Sequence, residues 1–206
     1  MEAQALAPKR LIEKIAQVGV WIGGICLLAS SALIVIDLVL RKLVGWSMGG
    51  SDEIAGYVLA IVSAWAFPIA LLRRSHIRVD VAYTHLPRSI RAALDLFALL
   101  CLGLFVGTLT FHAWQVLTDS ISFNAISNTP LQVPQWIPQS LWFAGYLFFF
   151  ITIVVLMGCS IYLISKRRMR EASQLIGIAS VEEEIVEELI PTQETPNQQP
   201  VMDVEK

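Results

Sequence analysis

Charge is missing from four long stretches of this 206-residue chain: residues 15–36, 54–72, 96–117 and 137–165 contain no Asp, Glu, Lys or Arg. Cysteine is scarce too. Cys26, Cys101 and Cys159 each lie inside an apolar stretch, where a small buried packing role fits better than a disulfide framework or a ligand set. No HExxH, CxxC, phosphate-binding glycine loop or serine elbow occurs, which removes the common zinc, thiol, nucleotide and esterase chemistries. With 55% hydrophobic residues and little chain outside the four stretches, there is no room for a separate soluble enzyme. No catalytic residue, cofactor site or metal site is expected.

What is present reads as membrane. The stretches are 22, 19, 22 and 29 residues long, and roughly 20 apolar residues rising 1.5 Å each cross a hydrocarbon core. Backbone N–H and C=O groups must be paired inside lipid, so these segments are expected to be helices. The predicted fold is an all-α membrane protein with four transmembrane helices, spanning about residues 15–40, 52–72, 92–117 and 137–165 within a domain of residues 1–170. Residues 1–8 read as a short mobile lead. Residues 171–206 read as an acidic, largely disordered cytoplasmic tail, in which Glu182, Glu183, Glu184, Glu187 and Glu188 face a short apolar stripe. Ala29-Ser30-Ser31-Ala32 loosely resembles a cleavage site, but the apolar stretch continues past it, so an uncleaved first span is expected.

Basic residues give the orientation. Lys9, Arg10 and Lys14 precede the first span; Arg41 and Lys42 follow it; Arg73, Arg74, Arg78, Arg88 and Arg91 lie between the second and third. Residues 118–136 hold none, and Lys166, Arg167, Arg168, Arg170 and Lys206 follow the last span. Cytoplasmic loops carry the Lys/Arg excess, which puts both termini and the second loop in the cytoplasm. Arg41 and Lys42 can snorkel. Topology accounts for the basic residues without nucleic acid.

Polar residues near the span ends are the candidates for function. Asp37 and Arg41 are four apart, on one helical face, as a structural ion pair or, less simply, a proton or ion relay. Ser51 is a candidate N-cap for the second span, with Asp52 and Glu53 at the positive end of its dipole. Pro68 should kink that span or remove one backbone bond. The third loop reads as polar and extended, and Pro138 suits the first turn of the last helix. Trp46, Trp114, Trp136 and Trp142 are expected near the outer interface as an aromatic belt. His76 and His85 lie in the cytoplasmic loop while His112 is expected near the outer end of its span. No pair at one depth is available for haem. With no carboxylate, lysine or arginine in any of the four stretches, the chain is not expected to act alone as a carrier.

Several features taken in order resemble a known family. They are Arg41 after the first span, Asp52-Glu53 opening the second, Arg73-Arg74-Ser75-His76-Ile77-Arg78-Val79-Asp80 with Leu86-Pro87, and Thr129-Pro130-Leu131-Gln132-Val133-Pro134-Gln135-Trp136 before the last. Over roughly residues 11–166 the chain resembles the small, DctQ-type membrane subunit of tripartite ATP-independent periplasmic (TRAP) transporters. The resemblance implies a multi-pass protein of the bacterial inner membrane. It implies two partners besides lipid: a large multispan subunit that carries the solute and sodium sites, and a soluble periplasmic solute-binding protein. The small subunit would brace the large one in a sodium-coupled symporter, with organic acids the usual cargo. The alternative is a membrane anchor for a respiratory or cytoplasmic enzyme. Candidate subunit-contact or structural residues are Asp37, Arg41, Asp52, Glu53, Arg73, His76, Arg78 and Asp80. The last three are expected to knit the second helix to the third or, alternatively, to sit in a solvated basic loop. Gln132, Gln135 and Trp136 are candidates for periplasmic docking, against the alternative that the tryptophan only anchors its helix.

Overall fold

The computed structural model of the chain describes residues 2–73 and 88–165. Among these residues four helices form: α1 (Glu2–Leu43), α2 (Ser51–Leu72), α3 (Arg88–Ser122) and α4 (Trp136–Ser165). Each holds a segment long and apolar enough to cross a membrane: Leu11–Leu43, Ser51–Leu72, Ile90–Ser122 and Trp136–Ser165.

Two boundaries differ from expectation. Helix α1 already runs through residues 2–8, read above as a mobile lead; Ala, Glu, Gln and Leu dominate there and are strong helix formers. Helix α3 continues past residue 117 into the polar loop. Hydroxyls that fold back onto the helix allow this: Thr118 Oγ1 donates to the Trp114 and Gln115 carbonyls (3.1 and 2.8 Å), and Ser122 Oγ to Asp119 O (3.0 Å). Deeper in the spans Ser63, Thr108, Thr110, Thr152 and Ser160 donate to the carbonyl four residues back, so their hydroxyls need no other partner in lipid. The acidic tail expected over 171–206 lies outside the described residues.

Helix α1 packs on α2, α2 on α4, and α4 on α3. The protein is therefore two antiparallel hairpins joined along α2 and α4, which run parallel. Small residues set the spacing at each seam. Gly19 and Gly23 on α1 lie against Trp65 and Val62, while Gly103 and Gly107 on α3 lie against Ile153 and Phe150. Residues four apart share a helix face, and each pair lets two backbones approach. At the central seam a Cβ on Gly145 would stand 2.8 Å from Ala64 Cβ and 3.1 Å from the Ala64 carbonyl carbon. Helix α2 continues unbroken through Pro68, which is buried and leaves the Ala64 carbonyl without its helical donor. Trp65 crosses the same seam, donating from Nε1 to Leu141 O at 3.0 Å and stacking on Phe148 with centroids 5.8 Å apart. A core of Ile12, Ala16, Leu71, Leu72, Leu99, Val106, Phe149, Ile153 and Leu156 closes the half away from the two loops.

These contacts also set depth. Gly107 meets Phe150 and Trp114 meets Phe143, so His112 lies level with Gly145, and Gly145 lies level with Ala64. Ala64 is thirteen residues past Ser51, ~20 Å along α2. His112 therefore sits ten residues, about 15 Å, inside the end of α3 at Ser122 rather than close to that end as expected. Trp114 and Trp142 are likewise about two turns below the start of α4, and only Trp46 and Trp136 sit at the helix ends.

Candidate functional site

The loops 44–50 and 123–135 meet at one end of the protein, and two carboxylates hold them there. Asp37, on the last turns of α1, is 2% exposed. Its Oδ2 accepts from Arg41 Nη2 at 2.7 Å and from Ser51 Oγ at 3.1 Å; its Oδ1 accepts from the Met48 backbone N–H at 2.7 Å and from Ser47 Oγ at 3.2 Å. Four donors fill the acceptor capacity of one carboxylate. The arrangement is a structural knot that ties the end of α1 to the first residue of α2. Arg41 is the open side of it, its side chain 55% exposed against 4% for Asp37. Ser51 does not cap α2: Gly50 occupies the N-cap position, and the Ser51 hydroxyl is spent on Asp37.

Glu53 does the same between hairpins. Tyr57 OH, one turn along α2, donates to its Oε1, and Thr129 Oγ1, from the far loop, donates to its Oε2. Thr129 Oγ1 is in turn 2.8 Å from Ser127 Oγ. Beside this link Pro130 rests on Gly49, and Leu131 covers Gly50 so closely that a Cβ there would overlap it. Asp52 is exposed on the other side of the first turn.

The loop 123–135 is folded back on itself, not extended. Ala125 N–H bonds Ser120 O (2.9 Å), Ser127 N–H bonds Val133 O (3.0 Å), Gln132 N–H bonds Thr129 O (3.1 Å) and Gln135 N–H bonds Ala125 O (2.9 Å). Asn124 and Gln132 take positive φ, 46° and 44°, to make the reversals. Backbone groups next to a membrane must find partners, and a loop with two prolines finds them by doubling over. The doubling leaves Gln132 and Trp136 exposed, while Gln135 accepts from Gln139 Nε2 at 3.3 Å. Gln132, Gln135 and Trp136 thus lie along one loop and the start of α4. Pro138 is buried in the first turn of α4, where its missing N–H costs nothing.

At the opposite end Arg73 closes α2, its backbone N–H bonding Ile69 O at 2.9 Å, with its side chain exposed. The contacts expected of His76, Arg78 and Asp80 lie outside the described residues. Asp95, near the start of α3, is 1% exposed. Among the described residues no three His, Cys, Asp or Glu side chains gather into a metal-sized group. The residues missed by sequence reading are the hydroxyl partners Ser47, Tyr57, Ser127 and Thr129. Tyr57 was findable, four residues after Glu53 on the same face; Thr129 was not, because nothing local links it to Glu53.

Among the described residues these features define an integral membrane protein with four helices long and apolar enough to span a membrane, in which the carboxylates of Asp37 and Glu53 hold the loops together at one end. The family described as tripartite ATP-independent periplasmic transporters, DctQ component, matches residues 30–161. The chain belongs to that family, the small permease component of TRAP transporters. The matched region runs from the middle of α1 to the end of α4 and includes both carboxylate knots. Neither a curated protein nor a solved structure matches the chain.

Proposed function

We propose that this chain is the accessory subunit of a sodium-coupled, binding-protein-dependent importer of organic acids in a bacterial inner membrane. It braces a large transport subunit and offers its loop end to the soluble binding protein. Both termini and residues 73–91 lie in the cytoplasm on this reading, and the knotted loops lie in the periplasm, as the distribution of Lys and Arg favours. The observation that carries the reading is the Glu53–Thr129 link with its packing of Leu131 on Gly50. It makes one surface out of two loops that belong to different hairpins, which suits docking against a folded partner. The carboxylates of Asp37 and Glu53 are already occupied by loop and helix donors, which suits a structural role and favours solute and ion coupling by the larger partner.

The test is reconstitution of the chain with its large subunit and binding protein in proteoliposomes under a sodium gradient. Replacing Gln132 and Gln135 together by Arg adds two charges that are costly to desolvate and leaves the tryptophans in place. Uptake and binding-protein capture are expected to fall with membrane levels unchanged. Undiminished uptake would remove this loop as the docking surface, and full uptake by the large subunit alone would remove the accessory role.

A further inference from the structure

Helix α3 has two faces of different chemistry. Leu99, Gly103, Val106, Thr110, Ala113, Leu117 and Ser120 repeat at three- and four-residue steps and are buried, a seam that seats α3 on α4. On the opposite face Phe97, Cys101 and Leu104 are exposed towards the start of the helix, followed along the same line by Thr108, His112 and Gln115. The second trio gathers three polar side chains on one outward face, whereas Gln17 and Ser31 on α1 and Ser63 on α2 are single exposed polar groups. Helix α1, for comparison, presents Ile22, Ile25, Leu28 and Val35, groups that hydrocarbon suits.

Depth makes the trio expensive. The contact ladder puts His112 level with Gly145 and Ala64. Measured along α2 it is ~20 Å from the loop end, and along α4 about 13 Å, so both rulers place it within a hydrocarbon core ~30 Å thick. Thr108 satisfies itself by donating to Leu104 O at 2.9 Å. His112 and Gln115 satisfy each other only in part: Nδ1 of the ring is 3.0 Å from Gln115 Oε1. An amide oxygen can only accept, so the tautomer that fits this contact carries its proton on Nδ1 and leaves Nε2 as an acceptor. Among the described residues nothing bonds that Nε2 or the Gln115 amide nitrogen. Lipid tails offer neither donor nor acceptor, and polar groups at this depth face other protein or a water-filled cavity.

We propose that the face of α3 along Thr108, His112 and Gln115 is the contact with the large transport subunit, and that a transmembrane helix of that subunit supplies a donor to His112 and an acceptor to Gln115 near mid-membrane. The proposal rests on the accessory-subunit reading and assigns its interface. It makes α3 an inner helix of the assembled complex and leaves α1, at the far edge of the slab, to lipid.

The test uses the chain co-expressed with its large subunit and purified through a tag on either. His112→Leu with Gln115→Leu removes both polar groups and improves the face for lipid. Each interhelical hydrogen bond lost changes association about threefold, so the pair is expected to lower co-purification about tenfold. His112→Asn with Gln115 retained is expected to recover most of it, and the lone chain's thermal stability should not move, because the two side chains bond only each other. A photo-crosslinking residue at position 108 should join the chain to the large subunit. Unchanged co-purification of the double Leu variant, or crosslinks at 108 to a second copy or to lipid alone, would overturn the proposal. Loss of co-purification by the unmodified chain would instead sink the accessory-subunit reading itself.

Discussion

Gly145→Ala should destabilise this protein, although alanine is the better helix former. The added Cβ would sit 2.8 Å from Ala64 Cβ, 2.9 Å from Trp65 Cδ1 and 3.1 Å from the Ala64 carbonyl carbon. The last of these is backbone and cannot swing aside, so α2 and α4 must part by ~1 Å to restore van der Waals distances of about 3.5–4.0 Å. Such a gap forfeits about a quarter to a half of each contact it opens. It also stretches the Trp65 Nε1 to Leu141 O bond, now 3.0 Å, beyond bonding range. Overpacking typically costs about 1–3 kcal/mol, against a gain of about 0.5–1 kcal/mol for replacing a helical glycine. The expected net loss is therefore about 1–2 kcal/mol. Gly158→Ala is the internal comparison: it lies on the same helix, is exposed, and its Cβ would meet nothing within 4 Å. That variant should gain about 0.5–1 kcal/mol from helix propensity alone. Thermal unfolding of both in one detergent gives the answer, since shared solvent effects cancel in the difference. Equal shifts for the two variants would refute a close-packed α2–α4 seam.

Trp65→Phe should cost about 0.6 kcal/mol for the lost interhelical bond, plus whatever packing the indole supplied, and combined with Gly145→Ala should fall short of additivity because both open one seam. Gly50→Ala should push Leu131 off the first loop and raise protease cleavage within residues 123–135; adding Leu131→Ala should reverse the effect, and failure to reverse would separate the two loops. Asp37→Ala strips acceptors from the Met48 N–H and the buried Ser51 hydroxyl, so amide exchange at Met48 should quicken while the second loop, held through Glu53, stays protected. Unchanged exchange at Met48 would show that the turn does not depend on the carboxylate.

The helices were legible in the sequence because lipid permits so few alternatives: an uncharged run of this length has to be helical, although α1 and α3 continue well past where charge returns. The Asp37–Arg41 pair was legible for a similar local reason, since four residues make one helical turn. What could not be read was anything requiring knowledge of which helix neighbours which. Glu53 and Thr129 are separated by two spans, and their bond depends on α2 and α4 lying side by side in parallel. Consecutive helices tend to pair, which gives the two hairpins but says nothing of how the hairpins join. A partial signal was present in Gly19 with Gly23 and Gly103 with Gly107, small residues four apart that mark close-packed faces. Gly145 has no such companion and still makes the tightest approach to helix backbone among the described glycines. The end of α3 was misread for a related reason: it was taken to stop with its apolar run, yet it continues to Ser122, ten residues past His112.

The hairpins are joined at three levels: Glu53 to Thr129 at the loop end, Trp65 and Ala64 against Leu141 and Gly145 in the middle, and Leu71 and Leu72 with Ile153 and Leu156 beyond. A joint at one level is a hinge; joints at three levels along ~30 Å of helix resist both splaying and sliding. Sliding α2 past α4 by even a residue would lift Gly145 off Ala64 and break the Thr129 link together. Such a body is suited to stay still while something else moves, which is the property a brace needs. On the proposed reading, the conformational change of transport falls to the large subunit. The small one contributes by holding its outer surface and its α3 face in fixed relation. That predicts a coupling in one direction: changes at the loop end that leave the three joints intact should alter docking without altering association through α3. Gly145→Ala, which loosens the middle joint, should disturb both together.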